Sequence, residues 1–178
     1  LIGLVGSEMC IRDRQRSGKR KIITIEELKG NFRYWLHIHA ADRYYNQNEI
    51  GFYNGRNFIQ YGSRVSYQIL NKNKYFRNFQ TMLYLGYQTR YDSNLKNRNG
   101  FSFSTSFQNN NLWRFSIRFR GVSKLKDWYE TRTEDRFILD PKYLTTTIGI
   151  DSDNTKKFSY GTDYIFTKYQ NYQFDENK

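Results

Sequence analysis

The chain has 178 residues and is strongly basic, with 29 Lys and Arg against 17 Asp and Glu and a net charge of +12. That length allows one domain or part of a larger one. A mean hydropathy of −0.88, with no run near the roughly 18 apolar residues of a membrane helix, excludes a helical span but not a transmembrane barrel, whose strands alternate and look polar on average.

Residues 1–14, LIGLVGSEMCIRDR, share nothing with the pattern that follows and resemble translated sequencing-adapter read-through. Their apolar start is too short, and lacks the basic lead, to read as a signal peptide. They are expected to be foreign, leaving residues 15–178 as the domain of interest. The single cysteine, Cys10, falls in that tract, so a disulfide framework is not expected.

Beyond it, 16 Tyr and 14 Phe against a single Pro favour strands, because aromatic residues fit a pleated surface. In chain order the predicted strands are 21–27, 31–41, 57–70, 76–91, 101–108, 112–121, 142–150 and 158–168. The turns are Lys29-Gly30, Asn71-Lys72-Asn73-Lys74, Asn109-Asn110-Asn111 and 151–156, the asparagines being expected to adopt the left-handed backbone of tight hairpins. Loops at 42–56, 92–99 and 122–141 separate them. Short and long connections thus alternate, which in an antiparallel meander puts the turns at one end and the loops at the other. Outer-membrane barrels share that asymmetry.

The central strands alternate strictly. Ile59, Tyr61, Val65, Tyr67, Ile69, Leu83, Leu85, Tyr87, Phe101, Phe103, Phe107, Trp113, Phe115, Ile117 and Phe119 fall on one face. Gln, Gly and Ser fall on the other, with Arg64, Arg90, Arg114, Arg118 and Arg120. Side chains alternate across a strand with period two, so the sheet has one apolar and one wet surface. The expected fold is all-β: an antiparallel up-and-down meander of about eight strands, part of a transmembrane β-barrel. A soluble sandwich or lipocalin-like barrel gives the same period with the apolar face inward. Long strands and tyrosines near strand ends (Tyr75, Tyr91, Tyr143, Tyr169, Tyr172) favour the membrane form, where aromatics line the interface.

Candidate chemistry is sparse. His37 and His39, two apart on a strand, face the same way, but no third ligand stands at a recognisable spacing, and two polar residues on a wetted wall are the simpler reading. The five arginines would make a lumen wall favouring acidic solutes, or else pair with acids elsewhere. The segment Trp128, Tyr129, Glu130, Arg132, Glu134 and Arg136 mixes carboxylates with aromatics, as sugar sites do, yet interleaved acids and arginines also make an ordinary salt-bridged loop. Basic and aromatic residues mostly occupy opposite faces, which argues against nucleic acid. No phosphate-cradling glycine loop, nucleophile elbow or zinc helix motif is present, so no cofactor, metal or catalysis is assigned.

Asn48-Glu49-Ile50-Gly51-Phe52 followed by Asn57-Phe58-Ile59, the run Trp128-Tyr129-Glu130-x-Arg132-x-Glu134-x-Arg136-Phe137, and the turn Asp153-Asn154-Thr155-Lys156-Lys157-Phe158 together resemble domain-of-unknown-function family 5916. The resemblance covers about residues 20–174. It implies the C-terminal outer-membrane barrel of proteins that also carry an N-terminal module like carbohydrate-binding family 9. That module would be a partner of this chain, with membrane lipid and an oligosaccharide as further partners. The chain is then expected to be an internal piece of a surface protein linked to glycan binding, located in the outer membrane. The alternative is a soluble basic β-sheet module for an anionic ligand, oligosaccharide or nucleic acid.

Overall fold

The computed structural model describes residues 18–45, 56–127 and 136–170. All its regular structure is β. Eight strands form one antiparallel meander in the order β1 (Arg20–Glu26), β2 (Phe32–Ala41), β3 (Phe58–Ile69), β4 (Asn78–Arg90), β5 (Lys96–Gln108), β6 (Arg114–Val122), β9 (Tyr143–Asp151) and β10 (Gly161–Tyr169). A two-stranded hairpin, β7 (Leu125–Asp127) with β8 (Ile138–Asp140), is inserted between β6 and β9. The large sheet is open, with β1 and β10 at its edges.

The register carries the sequence alternation across the whole sheet. One row on the first face runs Tyr34, Val65, Leu83, Phe103, Phe119, Thr146 and Phe166 from β2 to β10. The next runs Phe32, Tyr67, Thr81, Thr105, Ile117, Ile148 and Tyr164. Charge reaches this face only at its margins: Lys21 and Lys168 on the edge strands, and Lys96 beyond a bulge between Gln88 and Thr89. The opposite face carries Arg33, Trp35, His37 and His39 from β2, and the serines and arginines of β5 and β6.

No layer covers the apolar face among the described residues. Leu36, Tyr61, Leu85, Phe101, Phe103, Leu144 and Ile148 are exposed, and the only buried apolar side chains are Ala41 and Phe58. Along β2, β4 and β5 the apolar positions are the more open ones, while the polar positions between them are half-buried. Small polar-face residues lie beneath large neighbours there: a Cβ on Gly62 would meet the Trp35 and His37 rings, and one on Gly86 the Tyr84 ring.

Three details differ from the expectation. First, β5 begins at Lys96, so the predicted loop 92–99 shrinks to residues 91–95, a tight turn with Asn94 at φ 53°. The long connections at that end are therefore 42–57 and 123–142, and the second contains the unpredicted β7–β8 hairpin. Second, β10 begins at Gly161, and Phe158 and Tyr160 precede the strand instead of continuing its face. Third, the asparagines of the two Asn-rich turns act through side chains, not through a left-handed backbone. Asn73 Oδ1 accepts from the N–H groups of Tyr75 (2.8 Å) and Phe76 (3.0 Å), and Asn109 Oδ1 accepts from those of Asn111 and Trp113 (both 3.0 Å). The left-handed residue in the second turn is Leu112, at φ 65°. Asn is suited to either task, because its amide mimics a backbone group.

At the loop end a chain of hydrogen bonds ties four strands together. Asp42, just past β2, accepts from the backbone N–H of Lys19 (2.7 Å), Tyr44 (2.9 Å) and Tyr45 (2.8 Å). Its own carbonyl accepts from the N–H of Asn57 at 3.1 Å. Asn57, left-handed at φ 58°, donates from Nδ2 to the Asp92 carboxylate (2.9 Å) and accepts from the Asp92 N–H (3.2 Å). Arg90 completes the clasp with an ion pair to Asp92 at 3.0 Å.

Partial burial of the Asp92 carboxyl raises its pKa, but hydrogen bonds from Asn57, Arg90 and Ser93 and the Arg90 charge outweigh it, so the group sits below the ordinary carboxylate range. A depressed folded pKa stabilises the fold above the unfolded value, and the contribution is lost as pH falls through the folded one. Asp92 is exposed and its pairing is screened by solvent, so Asp92→Ala should cost no more than about 0.5–1 kcal/mol at neutral pH. In urea titrations in detergent, that gap to the parent chain should close as pH falls below about 4.

Candidate functional site on the arginine-bearing face

The polar face owes its character to β5, whose inward pattern Gly100, Ser102, Ser104, Ser106 leaves almost no side-chain bulk. On either side stand larger, charged strands. Two adjacent rows cross the sheet here. One runs Trp35, Arg64, Tyr84, Ser102, Arg120 and Thr145, and the other Arg33, Ser66, Met82, Ser104, Arg118 and Thr147. Each row therefore has an arginine on β2 or β3, a larger residue on β4 (Tyr84 or Met82), a serine on β5, and an arginine on β6. Strands lie about 4.8 Å apart, so Arg64 and Arg120 are rooted roughly 14 Å from each other.

Of the five predicted wall arginines, Arg118 and Arg120 are neighbours on one strand face, roughly 7 Å apart by strand rise. Both are exposed, and neither makes an ion pair or hydrogen bond with another described residue. Arg64 lies over the Trp35 ring at 5.3 Å and lines a cleft of about 180 Å³ together with Glu26, Arg33, Gln68 and Gln80. Arg114 starts β6 at the turn end, directly opposite Asp151. Arg90 is drawn into the Asp92 clasp and serves the fold. Arg33 belongs with the wall, as the alternation of β2 already indicates, and with the Gln68 amide turned over it bonds that side-chain oxygen at 2.7 Å. Arg98 also reaches this face, opposite Gln88. It was hidden from sequence reading because the strand extension before Phe101 lacks apolar residues.

The histidines sit at the β1 side of the same face. His39 Nε2 accepts from Arg20 Nε at 2.8 Å, and rings continue from Trp35 to His37 (4.3 Å between centroids) and from His39 to Phe58 (4.8 Å). An imidazole nitrogen engaged by a guanidinium is not offered to a metal. Among the described residues no group of three or more His, Cys, Asp or Glu could hold a metal ion.

Trp128, Tyr129, Glu130, Arg132 and Glu134 lie outside the described residues. Arg136 is exposed where the chain returns into β8. The flanking β7–β8 pair lies at the loop end, with β7 beside β5. The conspicuous Asn57-Phe58-Ile59 motif proves structural: Asn57 holds the clasp, and Phe58, 7% exposed, packs on His39. Asp153 in the third motif likewise shapes its own turn, accepting from Thr155 Oγ1 at 2.7 Å and Thr155 N–H at 2.9 Å.

A family model described as Domain of unknown function (DUF5916) matches residues 3–178. The match spans nearly the whole chain, so the protein belongs to this family. Its span takes in most of residues 1–14 as well. No curated protein and no solved structure matches the chain.

The low floor is sensitive to bulk. A Cβ at Gly100 would lie 2.9 Å from the Gly121 carbonyl oxygen, a backbone atom that cannot swing aside. Gly100→Ala should cost about 1–3 kcal/mol, by the usual penalty of overpacking. Thermal melts in detergent would read it as an earlier unfolding transition.

Proposed function

We propose that this DUF5916 chain forms part of the wall of an outer-membrane β-barrel, with its apolar face against lipid and its arginine-bearing face toward a water-filled interior. The parent protein, in this reading, is a surface protein that binds or handles glycans, and this stretch of it is not catalytic. The observation that carries the reading is the uncovered apolar face. Eight strands at about 4.8 Å make a sheet roughly 35 Å wide. The exposed apolar area is thus on the order of 1,000 Å², well beyond the few hundred that a soluble monomer shows in one patch.

Dimensions support the same reading. The seven strands from β2 to β10 in the large sheet have 9–13 residues. Tilted at about 40°, strands of that length cross a hydrocarbon layer roughly 25 Å tall. A surface groove of about 890 Å³ runs across the apolar face between rows that include Ile25, Leu36, Leu85, Phe101 and Leu144. Its lining is mainly apolar, with Asn99, Ser123 and Lys142 among the few polar residues, so it suits acyl chains better than a polar solute. The two long connections, 42–57 and 123–142, both leave the sheet at one end, beside the tight turn 91–95, and that is the expected outer side.

Refolding from urea distinguishes this from the soluble module. The chain should gain β-sheet circular dichroism and protease protection in short-chain lipid vesicles and aggregate in buffer alone. Phe103→Arg, mid-strand on the lipid face, should oppose insertion by about 2–4 kcal/mol. Arg118→Leu should leave insertion intact. A folded, detergent-free monomer, destabilised by Arg118→Leu through an exposed apolar side chain, would overturn the barrel and favour the soluble basic module.

A further inference from the structure

The two rows that cross the polar face place cations on both banks of a shallow trough, whose floor is made by serines of β3 and β5 with Tyr84 and Met82 of β4 between them. On one bank stand Arg33 and Arg64, on the other Arg118 and Arg120. Between and beside them lie Ser66, Tyr84, Met82, Ser102 and Ser104, with Thr145 and Thr147 behind the β6 arginines. We infer that this trough is a binding site for an acidic oligosaccharide, its carboxylates held by Arg118 and Arg120 and by the opposite bank.

Three observations lead there. The first is charge without an internal partner. The strand carboxylates on this face are Glu26, Asp151 and Asp163, and none forms an ion pair with Arg118 or Arg120. Guanidinium is also the side chain that matches a carboxylate with two parallel hydrogen bonds.

The second is the floor. Serine and threonine hydroxyls both donate and accept. A ligand whose acid groups are separated by hydroxyls can both donate to and accept from these hydroxyls, whereas a bare polyphosphate can only accept. The third is the sparse aromatic content. Single-stranded nucleic acid wants rings filed beside the cations, and these rows offer only Trp35, beneath Arg64, and Tyr84, over Gly86. One such ring on the floor is enough to meet the apolar face of a single sugar.

The inference rests on the proposal that this face meets water inside a barrel, and its test scores the two separately. The full chain, reconstituted in lipid vesicles, is checked for insertion by protease protection. Binding of a fluorescently labelled galacturonate oligomer is then followed by anisotropy, with an uncharged glucose oligomer of equal length and inorganic polyphosphate as competitors. The galacturonate oligomer should bind, the uncharged one should not compete, and polyphosphate should compete at least tenfold less well.

Arg118→Gln with Arg120→Gln should weaken binding tenfold or more. Removing the same charge outside the trough, by Lys72→Gln with Lys74→Gln in the β3–β4 turn, should change it less than twofold. Arg118→Lys with Arg120→Lys keeps the charge but loses the paired geometry and should fall between. An inserted chain that ignores the galacturonate oligomer, or that loses affinity equally in the two Gln variants, overturns the trough and leaves the barrel. Equal competition by polyphosphate overturns the role of the hydroxyl floor. Binding by a chain that fails to insert keeps the trough and overturns the barrel.

Discussion

Everything in this molecule depends on the separation of two chemistries across one sheet. A strand residue faces one side or the other, and a slip of one position would send every side chain to the wrong surface. Here the register is held across eight strands, so rows of Phe, Tyr, Ile and Leu back directly onto rows of Ser, Gly, Gln and Arg. In a soluble sheet the apolar rows would be closed off by a second layer. Among the described residues they are open, which leaves the apolar face as the main unmet demand of the fold.

Holding that register without a packed core puts weight on the connections. The turn end relies on side-chain amides: Asn73 and Asn109 each satisfy two backbone N–H groups, and Asn110 Nδ2 reaches across to the carbonyl of Lys74 at 3.1 Å. The loop end relies on Asp42, Asn57 and Asp92, linked in series from β1 to β4. Both devices are polar, local and indifferent to what covers the sheet. They can set the pairing before the apolar face finds its environment, which a strand pair lacking a core otherwise does poorly.

Much of this was legible because period-two alternation is a direct imprint of strand geometry. Where it was strong, as in residues 58–90 and 101–122, the strands and their faces agree with expectation. It failed where side chains stop reporting the backbone. Residues 96–99 are Lys, Asn, Arg and Asn, so the first turn of β5 looked like loop and Arg98 went unplaced. The short β7–β8 hairpin has too few residues to show a period at all. Site residues were harder still. Alternation put Arg90 on the wall, but only the fold brings Asp92 and Asn57 to it and turns it into a structural group. The same fold leaves Arg118 and Arg120 without an ion pair among the described residues, a difference that no spacing in the chain encodes.

That difference separates what the fold requires from what it merely permits. The apolar rows need apolarity and little else, and the identities along them vary between Leu, Phe, Val and Thr. The polar face is constrained in another way. Its centre is kept low by glycine and serine on β5, and its cations are arginines throughout β3–β6, although Lys is abundant in the turns. A solvated wall needs only charge, for which lysine is sufficient. Restriction to guanidinium beside a hydroxyl floor adds planar, two-point recognition that solubility does not call for. The arrangement is therefore better explained by what the face holds than by what keeps it folded.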